Sequence, residues 1–119
     1  MKTIVVIDDE FSLAEVLSAT LSDVGYRVYT APNGRLGLDL MAEHHPDLVL
    51  LDYMMPLLDG PGVLRAMRAD ARFTGVPVVV MSSLPESRVR AKCSGYVAFL
   101  RKPFAIEALL SVVEKALVG

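Results

Sequence analysis

Five short runs of β-branched and aliphatic residues alternate with helical patterns, and this alternation constrains the chain more than any other feature. The runs are Thr3 to Ile7, Arg27 to Ala31, Leu48 to Leu51, Val78 to Met81 and Val97 to Leu100. The clearest helical segment is SLAEVLSATLSDVG, with Leu13, Val16, Leu17, Leu21 and Val24 at helical spacing. Gly25 follows at the position where a left-handed residue ends a helix. Further helices are expected over residues 34–44, 60–71 and 85–93, and a last one carries Ile106, Leu109, Leu110, Val113 and Leu117 on one stripe. Short strands separated by helices are joined as crossovers. The expected fold is therefore an α/β domain with a parallel five-stranded sheet, helices on both faces and right-handed connections. The first and third runs are almost continuously apolar and belong at the sheet centre. The second, RVYTA, is more polar and belongs at an edge.

The 119 residues suffice for one domain, spanning 1–119, with a real core. Apolar residues make up 53% and charged residues 22%, the balance of a globular chain. A net charge of −2 speaks against direct nucleic-acid binding, which needs a basic surface. Cys93 is the single cysteine, so no intrachain disulfide forms, as expected in a reducing compartment. The opening MKTIVVIDDE has four apolar residues before two acids, too few for a signal peptide or a membrane span. A soluble cytoplasmic protein is the expectation.

In doubly wound sheets ligands sit beyond the carboxyl ends of the strands. Here those ends are Asp8-Asp9-Glu10, Asp52, Ser82-Ser83 and Arg101-Lys102-Pro103. A carboxylate at the tip of a buried strand is costly unless its charge is compensated. Clustered carboxylates call for a cation, and oxygen ligands favour a hard divalent ion, Mg²⁺ or Mn²⁺. Asp8, Asp9 and Asp52 are the candidate ligands, with Lys102 and Ser82 facing an incoming anion. Acids, a metal and phosphate-binding groups without a His or Cys nucleophile point to phosphoryl transfer onto Asp52 itself.

The segments VVIDDE, LLDYMMPLLDG, VVVMSS and FLRKPF together resemble the four signature segments of the receiver domain of bacterial two-component response regulators. The resemblance runs over essentially the whole chain. It implies the flavodoxin-like strand order 2-1-3-4-5. Asp52 is implied as phosphoacceptor, and Asp8 and Asp9 as the acidic pair, Asp9 being the more direct metal ligand. The backbone carbonyl of Met54 completes the implied metal shell. Ser82 becomes the switch hydroxyl, Lys102 the phosphate-pairing lysine, Phe99 the switch aromatic, and Pro103 follows a cis peptide bond. The implied phosphodonor is a phosphohistidine on a sensor histidine kinase or phosphotransfer protein. The implied output is the surface of the fourth helix, fifth strand and fifth helix, where an effector protein or domain, or a second copy of the chain, docks on phosphorylation. Activity is limited to self-phosphorylation and self-dephosphorylation. Ser82 and Lys102 are 20 positions apart, about two fewer than the family pattern, and Phe99 lacks the hydroxyl of the tyrosine often found there.

Each residue also has a plainer reading. Asp8 and Asp9 would serve as N-cap acids of the first helix, and Ser82 as a strand-end hydroxyl bonded to backbone. His44 and His45 suit a helix C-terminus. Cys93, Met41, Met67 and Met81 read as core, and Met54 and Met55 as the rim of the pocket. Three other functions compete. An aspartate-nucleophile phosphohydrolase wants an acid two residues after Asp52, where Met54 stands. A flavin or nucleotide carrier wants a Gly- or Ser-rich loop where DDEFS stands. A degenerate docking module would not need Asp8, Asp9, Asp52, Ser82 and Lys102 together.

Overall fold

The structure is a computed structural model, and residues 1–118 of it are described. The elements are β1 (Thr3–Ile7), α1 (Phe11–Asp23), β2 (Arg27–Ala31), α2 (Gly34–His44), β3 (Leu48–Asp52), α3 (Gly60–Arg68), β4 (Val78–Ser82), α4 (Glu86–Arg90), β5 (Ala98–Arg101) and α5 (Ile106–Val118). One parallel sheet has the order β2-β1-β3-β4-β5, with β1 and β3 inside and the polar β2 at an edge.

The apolar strands are continuous because both of their faces are covered. Successive side chains point to opposite sides of a sheet. Ile4, Val6, Leu48, Leu50, Val79 and Met81 pack with Leu17 and Leu21 of α1 and with Leu109 and Val113 of α5. Val5, Ile7, Val49, Leu51, Val78 and Val80 pack on the other side with Met41, Val63, Leu64, Met67 and Val89 from α2, α3 and α4. Met41, Met67, Met81 and Cys93 are all buried core residues.

Three strands outrun their expected ends, β3 to Asp52, β4 to Ser82 and β5 to Arg101. Asp52 pairs with Met81 and Ser82 with Arg101, so both polar residues belong to the ladder itself. The fifth strand begins one residue late, at Ala98, and Val97 is exposed. Helix α1 buries Ala14, Leu17 and Leu21, whereas Val16 and Val24 face solvent, so the inner stripe is narrower than the apolar pattern suggests. On α5, Leu109 and Val113 are buried but Ile106 is exposed. Helix α3 ends at Arg68, short of residue 71, because the Asp70 carboxylate accepts from the Arg72 backbone N–H and starts a separate 3₁₀ turn, Ala71–Phe73. Helix α4 is five residues long, and past Arg90 the Lys92 and Cys93 N–H groups merely close a turn on the Val89 carbonyl.

The helix ends follow local chemistry. Gly25 (φ 104°) and Tyr26 donate back to Ser22 and Leu21, the paired bonds that close a helix through a left-handed residue. Asn33 caps α2 by accepting from the Leu36 N–H at 2.9 Å. Replacing Asn33 by Ala leaves that donor unpaired, so an urea titration should show a loss of about 1 kcal/mol with an unchanged slope.

Candidate functional site

The carboxyl ends of β1, β3, β4 and β5 surround a cavity of about 580 Å³ lined by Asp9, Glu10, Leu13, Asp52, Met54, Ser82, Ser83, Lys102, Pro103 and Phe104. A larger groove of about 950 Å³ lies at the other ends of the strands, along Phe73–Val78 and Lys115–Leu117, and holds none of the acids of β1 or β3's end.

Asp52 is fixed by strand pairing and is 6% exposed. Its backbone continues through Tyr53, whose N–H donates to Met81 and whose carbonyl accepts from Gly60. Gly60 starts α3 so close to β3 that a Cβ there would stand 2.9 Å from the Tyr53 Cα and 3.0 Å from the Asp52 carbonyl oxygen. A larger residue would push the Asp52 strand end away from the helix. The intervening loop turns at Leu57, which is exposed and left-handed (φ 69°), and no sequence signal marks that strain.

Asp8 is almost fully buried. One carboxylate oxygen accepts from the Glu10 backbone N–H at 2.9 Å, and the other accepts from Lys102 at 2.9 Å. It does not cap α1. The N-cap position is Glu10, and no side chain makes a capping bond there. Asp9 is exposed. Carboxylate oxygens of Asp8, Asp9 and Asp52 all lie within 4.8 Å of one another. Three hard oxygen donors that close fit a divalent cation, and the exposed Asp9 leaves it a path to water.

Lys102 reaches back from the end of β5, and the peptide bond between it and Pro103 is cis. Its ammonium donates to Asp8 at 2.9 Å and to Glu10 at 2.8 Å, and stands 3.4 Å from Asp52. Burial opposes its charge, but bonds to Glu10 and Asp8 and the charge of Asp52 outweigh that and raise its pKa above the usual value. Burial is also the main force on Asp52. Together with the nearby Asp8 charge it overcomes Lys102 and pushes the Asp52 carboxyl up to about 7.

Ser82 is buried, and its hydroxyl oxygen accepts from the Leu84 N–H at 3.0 Å. The plainer reading of a backbone-bonded hydroxyl thus describes the acceptor side, and its own proton is left for a second partner. Phe99 is half-buried in the cluster beneath α4, with Leu84 and Tyr96. Met54 is 63% exposed at the cavity wall, and Met55 packs partly against the core. His44 stacks on Tyr29 at 3.6 Å, away from the acids, and His45 is the left-handed cap of α2.

The structure thus brings Asp9, Asp52, Ser82 and Lys102 to one cavity, holds the buried Asp8 against Lys102 beside them, and places Phe99 on the adjoining β5. Sequence reasoning named Glu10 at the strand end but gave it no part. Its bond to Lys102 spans 92 positions, and no local pattern shows it.

Comparison with known proteins accounts for this arrangement. Residues 4–114 match the response regulator receiver domain family. The response regulator MprA of Mycolicibacterium vanbaalenii is 41% identical over 108 residues, covering 91% of this chain and 47% of that protein. This chain spans 25% to 50% of the length of such curated relatives. The chemotaxis protein CheY4 of Vibrio cholerae is 30% identical and superposes with a TM-score of 0.88 over 98% of both chains. The receiver domain of the Pseudomonas aeruginosa sensor histidine kinase PA1611 is 25% identical, with a TM-score of 0.91 over 99% of this chain and 98% of that one. Its structure holds a magnesium ion in the active site cleft. Fold, strand order and the family match over residues 4–114 agree, and the chain belongs to the response regulator receiver domain family.

Proposed function

We propose that this receiver domain accepts a phosphoryl group on Asp52 and uses it to switch the surface formed by α4, β5 and α5. The observation that carries the reading is the single cavity in which Lys102 stands 3.4 Å from Asp52 beside the Asp8 and Asp9 carboxylates. Asp8, Asp9 and Asp52, with the Met54 backbone carbonyl, would hold Mg²⁺ or Mn²⁺. When bound, such an ion offsets the negative charge gathered at the site.

The chain's own residues do the rest. An Asp52 carboxylate oxygen attacks the phosphorus of a phosphohistidine, forming a P–O bond as the P–N bond breaks. The electron pair leaves with the imidazole nitrogen, which takes up a proton. Lys102 donates to one phosphoryl oxygen and Ser82 to another, which stabilises the added charge. The donor is a sensor histidine kinase or a phosphotransfer protein, and the receiver is a signalling domain whose own chemistry is limited to self-phosphorylation and self-dephosphorylation. The downstream partner is an effector protein or domain, or a second copy of the chain. In this reading the domain sits in the cytoplasm with its kinase donor; among the described residues no helix is long and apolar enough to cross a membrane.

Switching follows from the Ser82 hydroxyl. As Ser82 turns toward the phosphoryl group, space opens behind β4, and Phe99 rotates inward from β5 to fill it. Helix α4 is short and carries one buried residue, Val89, so it is the element least able to resist. Beryllofluoride, a phosphoryl mimic, should therefore change amide hydrogen exchange across residues 82–104. The Ser82→Ala variant should bind the mimic yet show a change at least halved in that segment. Protection confined to the neighbourhoods of Asp8 and Asp52 would sink the transmitted switch.

A further inference from the structure

The ammonium of Lys102 hydrogen-bonds two carboxylates, Glu10 at 2.8 Å and Asp8 at 2.9 Å, and a third, Asp52, stands 3.4 Å away. Moving the ammonium from that 3.4 Å onto a phosphoryl group at Asp52 draws it away from the other carboxylates, and the one held most cheaply gives way. The candidates differ sharply in what release would cost. Asp8 has a fully buried side chain, and stripping its cation leaves an uncompensated charge in the interior. Asp52 carries the phosphoryl group. Glu10 has a side chain 60% exposed, so water takes over its carboxylate at once. Nor does that side chain have a competing structural duty. Glu10 is the N-cap of α1 but makes no capping bond through its side chain, and it is the Glu10 backbone that supports Asp8.

We infer that Glu10 is a positioning residue, an exposed anion that parks Lys102 in the resting state and is displaced from it by the incoming phosphoryl group. The inference rests on Asp52 as the phosphoacceptor and adds an exchange of anions on Lys102. Glu10 lines the mouth of the cavity, so the arriving phosphoryl group meets its charge there and takes its place on the same ammonium. The resting hold keeps Lys102 off weakly binding anions and makes its transfer to phosphate conditional on a group seated at Asp52.

The test uses a small acyl phosphate with Mg²⁺ as donor. Glu10→Gln should lower the half-saturating donor concentration about three- to five-fold, the scale of a half-exposed ion pair, with the maximal rate changed less. Glu10→Asp keeps the charge but is too short to reach Lys102, and it should behave as Glu10→Gln does. In a Lys102→Ala background, Glu10→Gln should have no further effect. A second readout needs no phosphorylation. Acetic anhydride labelling of Lys102, measured by mass spectrometry against Lys2, Lys92 and Lys115, should rise in Glu10→Gln. Faster labelling in a chain that takes up no phosphoryl group would remove the phosphoacceptor reading and leave the hold on Lys102 standing. Unchanged labelling, wild-type behaviour of Glu10→Asp, or a full Glu10→Gln effect without Lys102 would overturn the proposal, since Glu10 would then act as a distant charge alone.

Discussion

Replacing Asp52 by Asn is expected to make the protein more stable than wild type at pH 8 in the absence of divalent ions. The sign follows from the carboxyl's environment. Asp52 has a native pKa of about 7 against an ordinary 3.8, so between those values the folded state holds a proton that the unfolded chain releases. Its contribution is fully present below pH 4 and is lost as pH rises through 7. Above that, wild type carries an ionised group that is buried and faces Asp8. Asn is neutral at every pH and of the same shape. The gain should be about 1–3 kcal/mol at pH 8 and should vanish toward pH 4, allowing for partial screening of the site. Millimolar Mg²⁺ should narrow the gap by stabilising wild type through binding. Denaturant titrations of both proteins at pH 4, 6 and 8, each with chelator and with Mg²⁺, give the comparison. A stability difference independent of pH would contradict the assignment of the raised carboxyl to Asp52.

Removing Lys102 should have the opposite sign. Lys102→Ala takes away the cation shared by Asp8, Glu10 and Asp52, and Asp8 is then a buried carboxylate without a cation. Loss of one member of a buried pair costs about 3–5 kcal/mol, and solvent around Glu10 and the cavity mouth should reduce this to about 2–3 kcal/mol at pH 8. The loss should shrink near pH 5, because Asp52, with its pKa of about 7, is already protonated there and has no charge left for the ammonium to compensate. Asp52→Asn placed on Lys102→Ala should recover part of the stability, a coupling that separates the shared site from independent surface effects. Additive single and double variants would mean that the ammonium does not act on Asp52 in solution.

Much of this was legible in the sequence because two periodicities alternate cleanly. Runs buried on both faces, such as Leu48 to Leu51, announce a central parallel strand, and RVYTA announces an edge. The site was legible for a related reason. A sheet of this kind gathers its strand ends, so Asp8, Asp9, Asp52, Ser82 and Lys102 converge once the strands are placed. What sequence could not show depended on tertiary competition. Val16 and Val24 are apolar and at helical spacing, yet the sheet beneath α1 has room for Ala14, Leu17 and Leu21. Asp70 ended α3 through a side-chain bond that competes with the helix. Glu10 looked like one more acid in a row of three until the Lys102 ammonium was found between it and Asp8.

The central claim is that Asp52 is the atom-bearing acceptor of a phosphoryl group. It is tested most directly by incubating the protein with Mg²⁺ and a small acyl phosphate and following intact mass, then locating the modification by tandem mass spectrometry. The account predicts one added phosphoryl group, carried by Asp52, dependent on the divalent ion and absent from Asp52→Asn. The same uptake in Asp52→Asn, or a phosphoryl group mapped to another residue of the wild-type chain with none on Asp52, would contradict it.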